Sequence, residues 1–190
     1  MTTQSQFRVP KAEIGGVQGR LLTAYARRTW GEVPDNAYVM WHNKKVMRAV
    51  MAGESKAARC DALDPHLKSY ALMASAAVIG CSWCLDFGYY LAHDEGLDLE
   101  KVRQVPVWRD SAAFTDLERD VMAYAEAMTV TPPTADDAMV EGLVQRLGVE
   151  AVVELTYFVA LENLRSRFNS AMGLATQGFS DRCELAPLAT

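Results

Sequence analysis

The chain has 190 residues, of which 50% are apolar and 23% charged, and its net charge is −5 at pH 7. This length fits one domain, and this composition supports a buried core and excludes a disordered chain. The acidic balance argues against general nucleic-acid binding, which needs a basic surface. Because no apolar run reaches the ~20 residues of a membrane span and no signal-peptide core is visible, we expect a cytoplasmic protein without nucleic-acid or membrane partners.

The spacing of apolar residues predicts an all-α fold. Apolar positions recur with a period near 3.6 along most of the chain, and alternating runs between hairpin turns are absent. We therefore predict a single-domain bundle of six to eight helices over residues 17–180. Residues 1–16 are expected to form a flexible lead-in and residues 181–190 a C-terminal tail, with the chain from Ala175 onwards on the surface.

Capping residues and glycines set the predicted boundaries in the first third of the chain. The first helix begins near Gly19 and ends at Gly31, where a glycine suits the helix end. The next helix starts at Asp35 or Asn36, and the polar stretch 52–63 is predicted to be a loop.

The middle of the chain carries the strongest helix signals. Asp64 and Pro65 supply an N-cap acceptor and a proline at the first helical position, so a helix is predicted to about Gly80. A second helix follows from Cys81 to about Glu95. Further helices are predicted from Asp98 to Val105, from the capping box Thr115–Glu118 to about Met128, from the Asp136 region to Leu147, and from about Glu150 to Gly173.

Cys81 and Cys84 form the sharpest chemical motif, two cysteines three residues apart at a predicted helix start. The partial positive charge of a helix N-terminus favours thiolate, and a thiolate beside a second thiol suits peroxide reduction through sulfenic acid and a disulfide. Two alternatives remain open for this pair. One is half of a zinc site completed by Cys60, Cys183 or a histidine, and the other is two core cysteines without a chemical role.

Signatures of other chemistry are absent from the sequence. His42 and His66 are isolated, and no second histidine follows at metal-ligand spacing. There is no glycine-rich nucleotide loop and no nucleophile elbow. We therefore expect neither a bound cofactor nor a metal.

Residues 67–95, LKSYALMASAAVIGCSWCLDFGYYLAHDE, resemble the carboxymuconolactone decarboxylase family, and more closely its alkylhydroperoxidase (AhpD-like) branch. That branch is marked by a CxxC at a helix start behind an alanine-rich helix. Residues 161–178 and 25–51 also resemble the family, so the likeness extends over about residues 17–180. It implies an all-helical domain that forms homo-oligomers, as trimers or hexamers. It also implies a thiol-dependent peroxidase that takes electrons from an external dithiol, with Cys84 as nucleophile and Cys81 as resolving thiol.

The resemblance also implies a proton relay, and both relay positions differ in this chain. The family places a glutamate twelve residues before the first cysteine and a histidine four after the second; these positions are Ser69 and Gly88 here. Asp86 is a candidate substitute, although a helix turns it ~200° away from Cys84. Asp86 also suits the first turn of a helix as a carboxylate that complements the dipole.

Residues 161–169 supply the remaining candidates for a pocket or relay. Glu162, Asn163, Arg167 or Asn169 is expected to face the cysteines or to lock a subunit interface, and a solvated helical face is the alternative. The corresponding second hypothesis for function is a non-peroxidase member of the family. Such a protein binds a small organic acid through Arg165 and Arg167, or is a structural oligomer without turnover.

Overall fold

The computed structural model describes residues 4–183, and within them every regular element is helical. The all-α prediction is therefore confirmed, although residues 4–183 form nine α-helices, more than the expected six to eight. They are α1 (Gly16–Trp30), α2 (Asp35–Met40), α3 (Lys44–Ala57), α4 (Pro65–Ile79), α5 (Ser82–Asp94), α6 (Leu99–Val102), α7 (Asp116–Thr129), α8 (Asp137–Leu147) and α9 (Val149–Ala171), with 3-10 helices at Val105–Asp110 and Ser180–Cys183.

Helix α4 lies at the centre of the fold. It packs against α5, α7 and α9, and it carries buried residues on all sides. Small side chains such as Ala71, Ala74 and Ala76, at most 1% exposed, let the neighbouring helices approach. An apolar helix without a polar face is typical of the interior of a helical domain. No helix among residues 4–183 is long and apolar enough to cross a bilayer.

Several predicted boundaries match the structure because local capping determines them. The side chain of Asp64 accepts hydrogen bonds from the first backbone N–H groups of α4. Thr115 and Glu118 form the predicted capping box of α7. Gly31 and Gly80 end α1 and α4 in the left-handed conformation that glycine adopts without strain.

Other segments differ from the prediction. Residues 52–57 continue α3 instead of forming a loop, since Asn43 caps that helix and its Met47 and Ala57 are buried. The segment expected to be one helix from Asp35 onwards is interrupted at residues 41–43. The short helix predicted to reach Val105 ends at Val102, and a 3-10 helix follows that carries Pro106 in its first turn.

The ends of the domain pack against each other. Backbone N–H groups of Gln6 and Arg8 donate to the carbonyl oxygens of Gly173 and Met172 at 2.9 and 3.1 Å. Gly173 has a φ of 74°, and a Cβ atom there would overlap the carbonyl oxygen of Gln6. The surface location expected beyond Ala175 is wrong for residues 179 and 180, which are 0% and 2% exposed. The tail at 184–190 lies outside the described residues.

Candidate redox site

Cys81 and Cys84 are joined by a disulfide across the first turn of α5. Gly80 ends α4 with a φ of 75°, and Cys81 is the N-cap residue of the next helix. This sharp reversal presents both sulfur atoms at a helix N-terminus, where the backbone N–H groups have no partner within the helix. A thiolate formed at this position is stabilised by the partial positive charge of the helix N-terminus.

The two sulfur atoms differ in exposure and in their hydrogen-bond donors. Cys81 is 1% exposed, and its Sγ accepts the backbone N–H of Cys84 at 3.2 Å. Cys84 is half-buried, and its Sγ accepts the side-chain amide of Asn169 at 3.4 Å. Cys84 is therefore the sulfur that an external reagent reaches more easily.

Aromatic and aliphatic side chains surround the pair. Trp83, between the cysteines, is 5% exposed and stacks on Phe87 with ring centroids 5.2 Å apart. Phe179 meets Phe87 edge to face at 5.1 Å, and both belong to the cluster that contains Cys81. These rings bury Cys81 and shield it from water on this side.

Asp86 binds the segment that follows α9. Its Oδ1 accepts the N–H and the hydroxyl of Ser180 at 2.8 and 2.6 Å. Its Oδ2 accepts the N–H groups of Gln177, Gly178 and Phe179 at 2.8, 2.8 and 3.1 Å. Five donors occupy this carboxylate, which is 1% exposed. In this structure Asp86 fixes the C-terminal segment over the CxxC helix.

Gln177 is a residue that the sequence reasoning missed. Its Oε1 accepts the indole N–H of Trp83 at 3.2 Å and the N–H of Asp35 at 2.9 Å. Its Nε2 donates to Glu32 at 2.8 Å. Gln177 thus links the CxxC turn to the start of α2, a contact between distant parts of the chain that no local pattern indicates.

The positions that correspond to the family relay are used for packing. Ser69 donates its hydroxyl to Glu95 at 2.8 Å, and Glu95 lies at the end of α5 opposite to the cysteines. A Cβ atom at Gly88 would lie 3.2 Å from Cγ of Met73. Ser69 is therefore not brought to the disulfide, and Gly88 provides room for close contact between α4 and α5.

Glu162 lies in a buried polar row on α9. It accepts the hydroxyl of Ser166 at 2.7 Å and faces Arg165 at 3.4 Å, and Arg165 also forms a bidentate pair with Glu54. Burial raises the pKa of Glu162, and this effect exceeds the opposing influence of Arg165. Asn169 follows on the same face one turn after Ser166. The row therefore runs from a buried carboxyl towards the disulfide.

Arg167 and Asn163 lie away from the cysteines. Arg167 donates to the carbonyl oxygen of Thr129 at 2.9 Å, and the amide of Asn163 donates to the hydroxyl of the same threonine at 2.9 Å. These contacts bind α9 to the end of α7. Of the four residues predicted to face the pocket or an interface, Asn169 is the one in contact with a cysteine sulfur.

The two isolated histidines of the sequence lie at a loop contact and at an exposed helix start. His42 contacts the carbonyl oxygen of Pro10 through Nε2 at 2.7 Å, and His66 is an exposed residue in the first turn of α4. Residues 4–183 contain no group of three or more His, Cys, Asp or Glu side chains placed to hold a metal ion.

Comparison with known proteins agrees with this fold. The carboxymuconolactone decarboxylase family matches residues 44–127. YnjA of Escherichia coli K12, an uncharacterized protein, is 34% identical over 151 residues, which cover 80% of this chain and 78% of YnjA.

Two solved structures share the fold at low sequence identity. One is the debrominase Bmp8, a cysteine-to-alanine variant in complex with 2,3,4-tribromopyrrole, with a TM-score of 0.80, 18% identity and coverage of 94% of this chain and 97% of Bmp8. The other is an alkylhydroperoxidase AhpD core, an uncharacterized peroxidase-related protein from Ralstonia eutropha JMP134, with a TM-score of 0.80, 16% identity and coverage of 93% and 96%. The matched segment, the relative and the shared architecture establish that the chain belongs to the carboxymuconolactone decarboxylase family and has its AhpD-like helical fold.

Proposed function

We propose that this protein is a thiol-dependent oxidoreductase that reduces peroxides through Cys81 and Cys84. The observation that supports this most directly is the disulfide across the N-terminal turn of α5, with Cys84 half-buried and Cys81 buried. An attacking thiol needs access to substrate, whereas a resolving thiol needs access only to its partner. This difference favours Cys84 as the nucleophile and Cys81 as the resolving thiol.

The proposed reaction balances without a bound cofactor. The Cys84 thiolate attacks the peroxide, an S–O bond forms, the O–O bond breaks, and the alkoxide or hydroxide leaves and takes up a proton. The Cys81 thiolate then attacks the sulfur of the Cys84 sulfenic acid, the S–O bond breaks and the disulfide forms, and the departing hydroxide takes up a proton from solvent to become water. An external dithiol returns two electrons by two thiol–disulfide exchange steps and becomes a disulfide itself.

The organic-acid alternative gains no support from the two arginines that suggested it. Arg165 is paired with Glu54 and Glu162, and Arg167 donates to Thr129 and Asn163. A substrate carboxylate would have to displace these partners. A brominated pyrrole is a more specific second candidate substrate, because Bmp8 shares the fold over nearly its whole length.

The test is consumption of hydrogen peroxide and of an organic hydroperoxide by the reduced protein with dihydrolipoamide as reductant. We expect turnover in the wild type, loss of turnover in Cys81→Ser and Cys84→Ser, and trapped sulfenic acid in Cys81→Ser alone. Cys60→Ser is the matched control, because Cys60 is exposed and free. Thiols that stay reduced under excess peroxide contradict the peroxidase, and release of bromide from 2,3,4-tribromopyrrole in the same assay then supports the second substrate.

We propose further that the chain forms homo-oligomers through α9. Four apolar residues of this helix are strongly exposed and fall within about 80° of one another at 100° per residue: Val149 65%, Val153 64%, Tyr157 46% and Leu164 57%. A continuous exposed apolar stripe is typical of a protein interface. A second copy of the chain is the partner that the resemblance implies.

A further inference from the structure

The two sulfur atoms of the redox pair receive hydrogen bonds of different kinds. Cys81 accepts a backbone N–H, that of Cys84, and this donor is present whatever the side chains are. Cys84 accepts the side-chain amide of Asn169, which comes from another helix 85 residues later in the chain. A single substitution therefore removes the donor to Cys84 and leaves the donor to Cys81 in place.

Asn169 occupies a position where a polar side chain is costly. It is 2% exposed, and its neighbours include Phe168 and Met172 of the apolar cluster around Cys81. Burying an amide without full hydrogen bonding is unfavourable, and leucine has a similar size. A chemical requirement for the amide at the cysteine is a direct reason for asparagine at this position.

The charged side chains of α5 and α9 that were candidates for a relay or pocket have other partners. On α5, the carboxylate of Asp86 is occupied by residues 177–180. On α9, Glu162 is bound by Ser166 and Arg165, and Arg165 pairs with Glu54. Ser69 on α4 donates to Glu95, and Gly88 on α5 has no side chain, so neither supplies a base or an acid to the sulfur. Among the described residues, Asn169 donates its side-chain amide to the Cys84 sulfur.

We propose that Asn169 is a catalytic residue of this redox site, whose amide N–H stabilises the Cys84 thiolate before it attacks and when it leaves. This inference rests on the proposed function. In the first role, the amide holds the negative charge of the sulfur that attacks the O–O bond. In the second role, one thiol of the external dithiol has formed a mixed disulfide with Cys84. The other thiol of the same dithiol then attacks the dithiol's sulfur in that mixed disulfide, and Cys84 leaves as thiolate. Cys81 leaves as thiolate one step earlier and is stabilised by the backbone N–H of Cys84.

The test measures thiolate formation at Cys84 alone, in a chain with Cys60, Cys81 and Cys183 replaced by serine. In this background, Asn169→Leu is expected to raise the pH midpoint of the ultraviolet thiolate absorbance by about one unit, the size of one charge-assisted hydrogen bond. The rate of alkylation near neutral pH should fall about tenfold. Asn169→Asp should raise the midpoint further, because a carboxylate beside the sulfur disfavours thiolate.

Asn163→Leu is the matched control, since it removes an amide from the same helix that contacts Thr129 instead of a cysteine. It should leave the midpoint unchanged. Equal midpoints for the background chain and for Asn169→Leu in that background would overturn the inference. If Asn169→Leu does not fold, Asn169→Ala, which also removes the amide and adds no charge, decides the question. The titration uses no peroxide, so a protein that lacks turnover but shows the shift contradicts the proposed function and leaves the role of Asn169 intact.

Discussion

Replacing Asp86 by asparagine should release the C-terminal segment from the CxxC helix. The amide NH2 would face either the two Ser180 donors or the three backbone N–H groups of residues 177–179. The milder arrangement has the amide NH2 facing Ser180, whose hydroxyl turns to accept a hydrogen bond from it. The backbone N–H of Ser180 then loses its acceptor, and the three hydrogen bonds from residues 177–179 no longer go to a charged group. At 1.5–3 kcal/mol for a charged hydrogen bond and about half for a neutral one, Asp86→Asn should cost about 3 kcal/mol or more.

The assay combines urea unfolding with hydrogen exchange at residues 177–180. We expect a lower free energy of unfolding and much faster exchange of these four amides in Asp86→Asn. We also expect faster alkylation of reduced Cys81, because Phe179 belongs to the cluster that encloses it. The control is Asp120→Asn, which removes an exposed pair with Arg146 and should cost less than about 1 kcal/mol. Unchanged exchange at residues 177–180 would refute the reasoning.

Three further predictions concern charge and assembly. Burial raises the pKa of Glu162 above its unfolded value. The stabilising contribution of this carboxyl is therefore lost as pH rises through the folded pKa. Glu162→Gln should accordingly raise the Tm more at about pH 8 than at about pH 4.5. Lys68→Met leaves the buried Glu154 carboxylate without its ion-pair partner and should cost about 3 kcal/mol in urea unfolding. Val153→Asp should shift light-scattering mass towards the monomer, while Val17→Asp, an equally apolar exposed position on α1, should not.

The helices were predictable where one local interaction determines the boundary. Asp64 accepts the N–H groups of His66 and Leu67 just after Pro65, and Thr115 and Glu118 accept each other's N–H groups. Each interaction lies within four residues, so the sequence contains the whole of it. The end of α3 was not predictable in this way. Polar residues 52–56 read as a loop, but Ala57 packs in the core at 2% exposure and extends the helix. That burial is a tertiary effect, which residues 52–56 do not reveal.

The cysteine pair was predictable as a motif, whereas its partners were not. The spacing of Cys81 and Cys84 is local, and the helix start that joins them follows from Gly80. The contacts of Asp86 with residues 177–180 and of Asn169 with Cys84 join parts of the chain more than eighty residues apart. From the sequence, Asp86 was a candidate relay substitute or a first-turn carboxylate, and Asn169 was one of four candidates on α9. Only packing of α5 against α9 and the following segment distinguishes their roles.

The packing of α4 against α5 explains why the two relay residues are missing at positions 69 and 88. A histidine at position 88 would begin with a Cβ atom 3.2 Å from Met73 Cγ, so it requires Met73 to move within the central cluster. A glutamate at position 69 would lie towards Glu95, at the far end of α5, about 20 Å from the cysteines at 1.5 Å per residue. The close contact between α4 and α5 thus depends on the small residue at position 88. The polar side chain at the Cys84 sulfur comes from α9 instead. We therefore expect substitutions in α9 to change the redox chemistry. We expect a smaller effect from the double substitution Ser69→Glu and Gly88→His, which introduces the two relay residues.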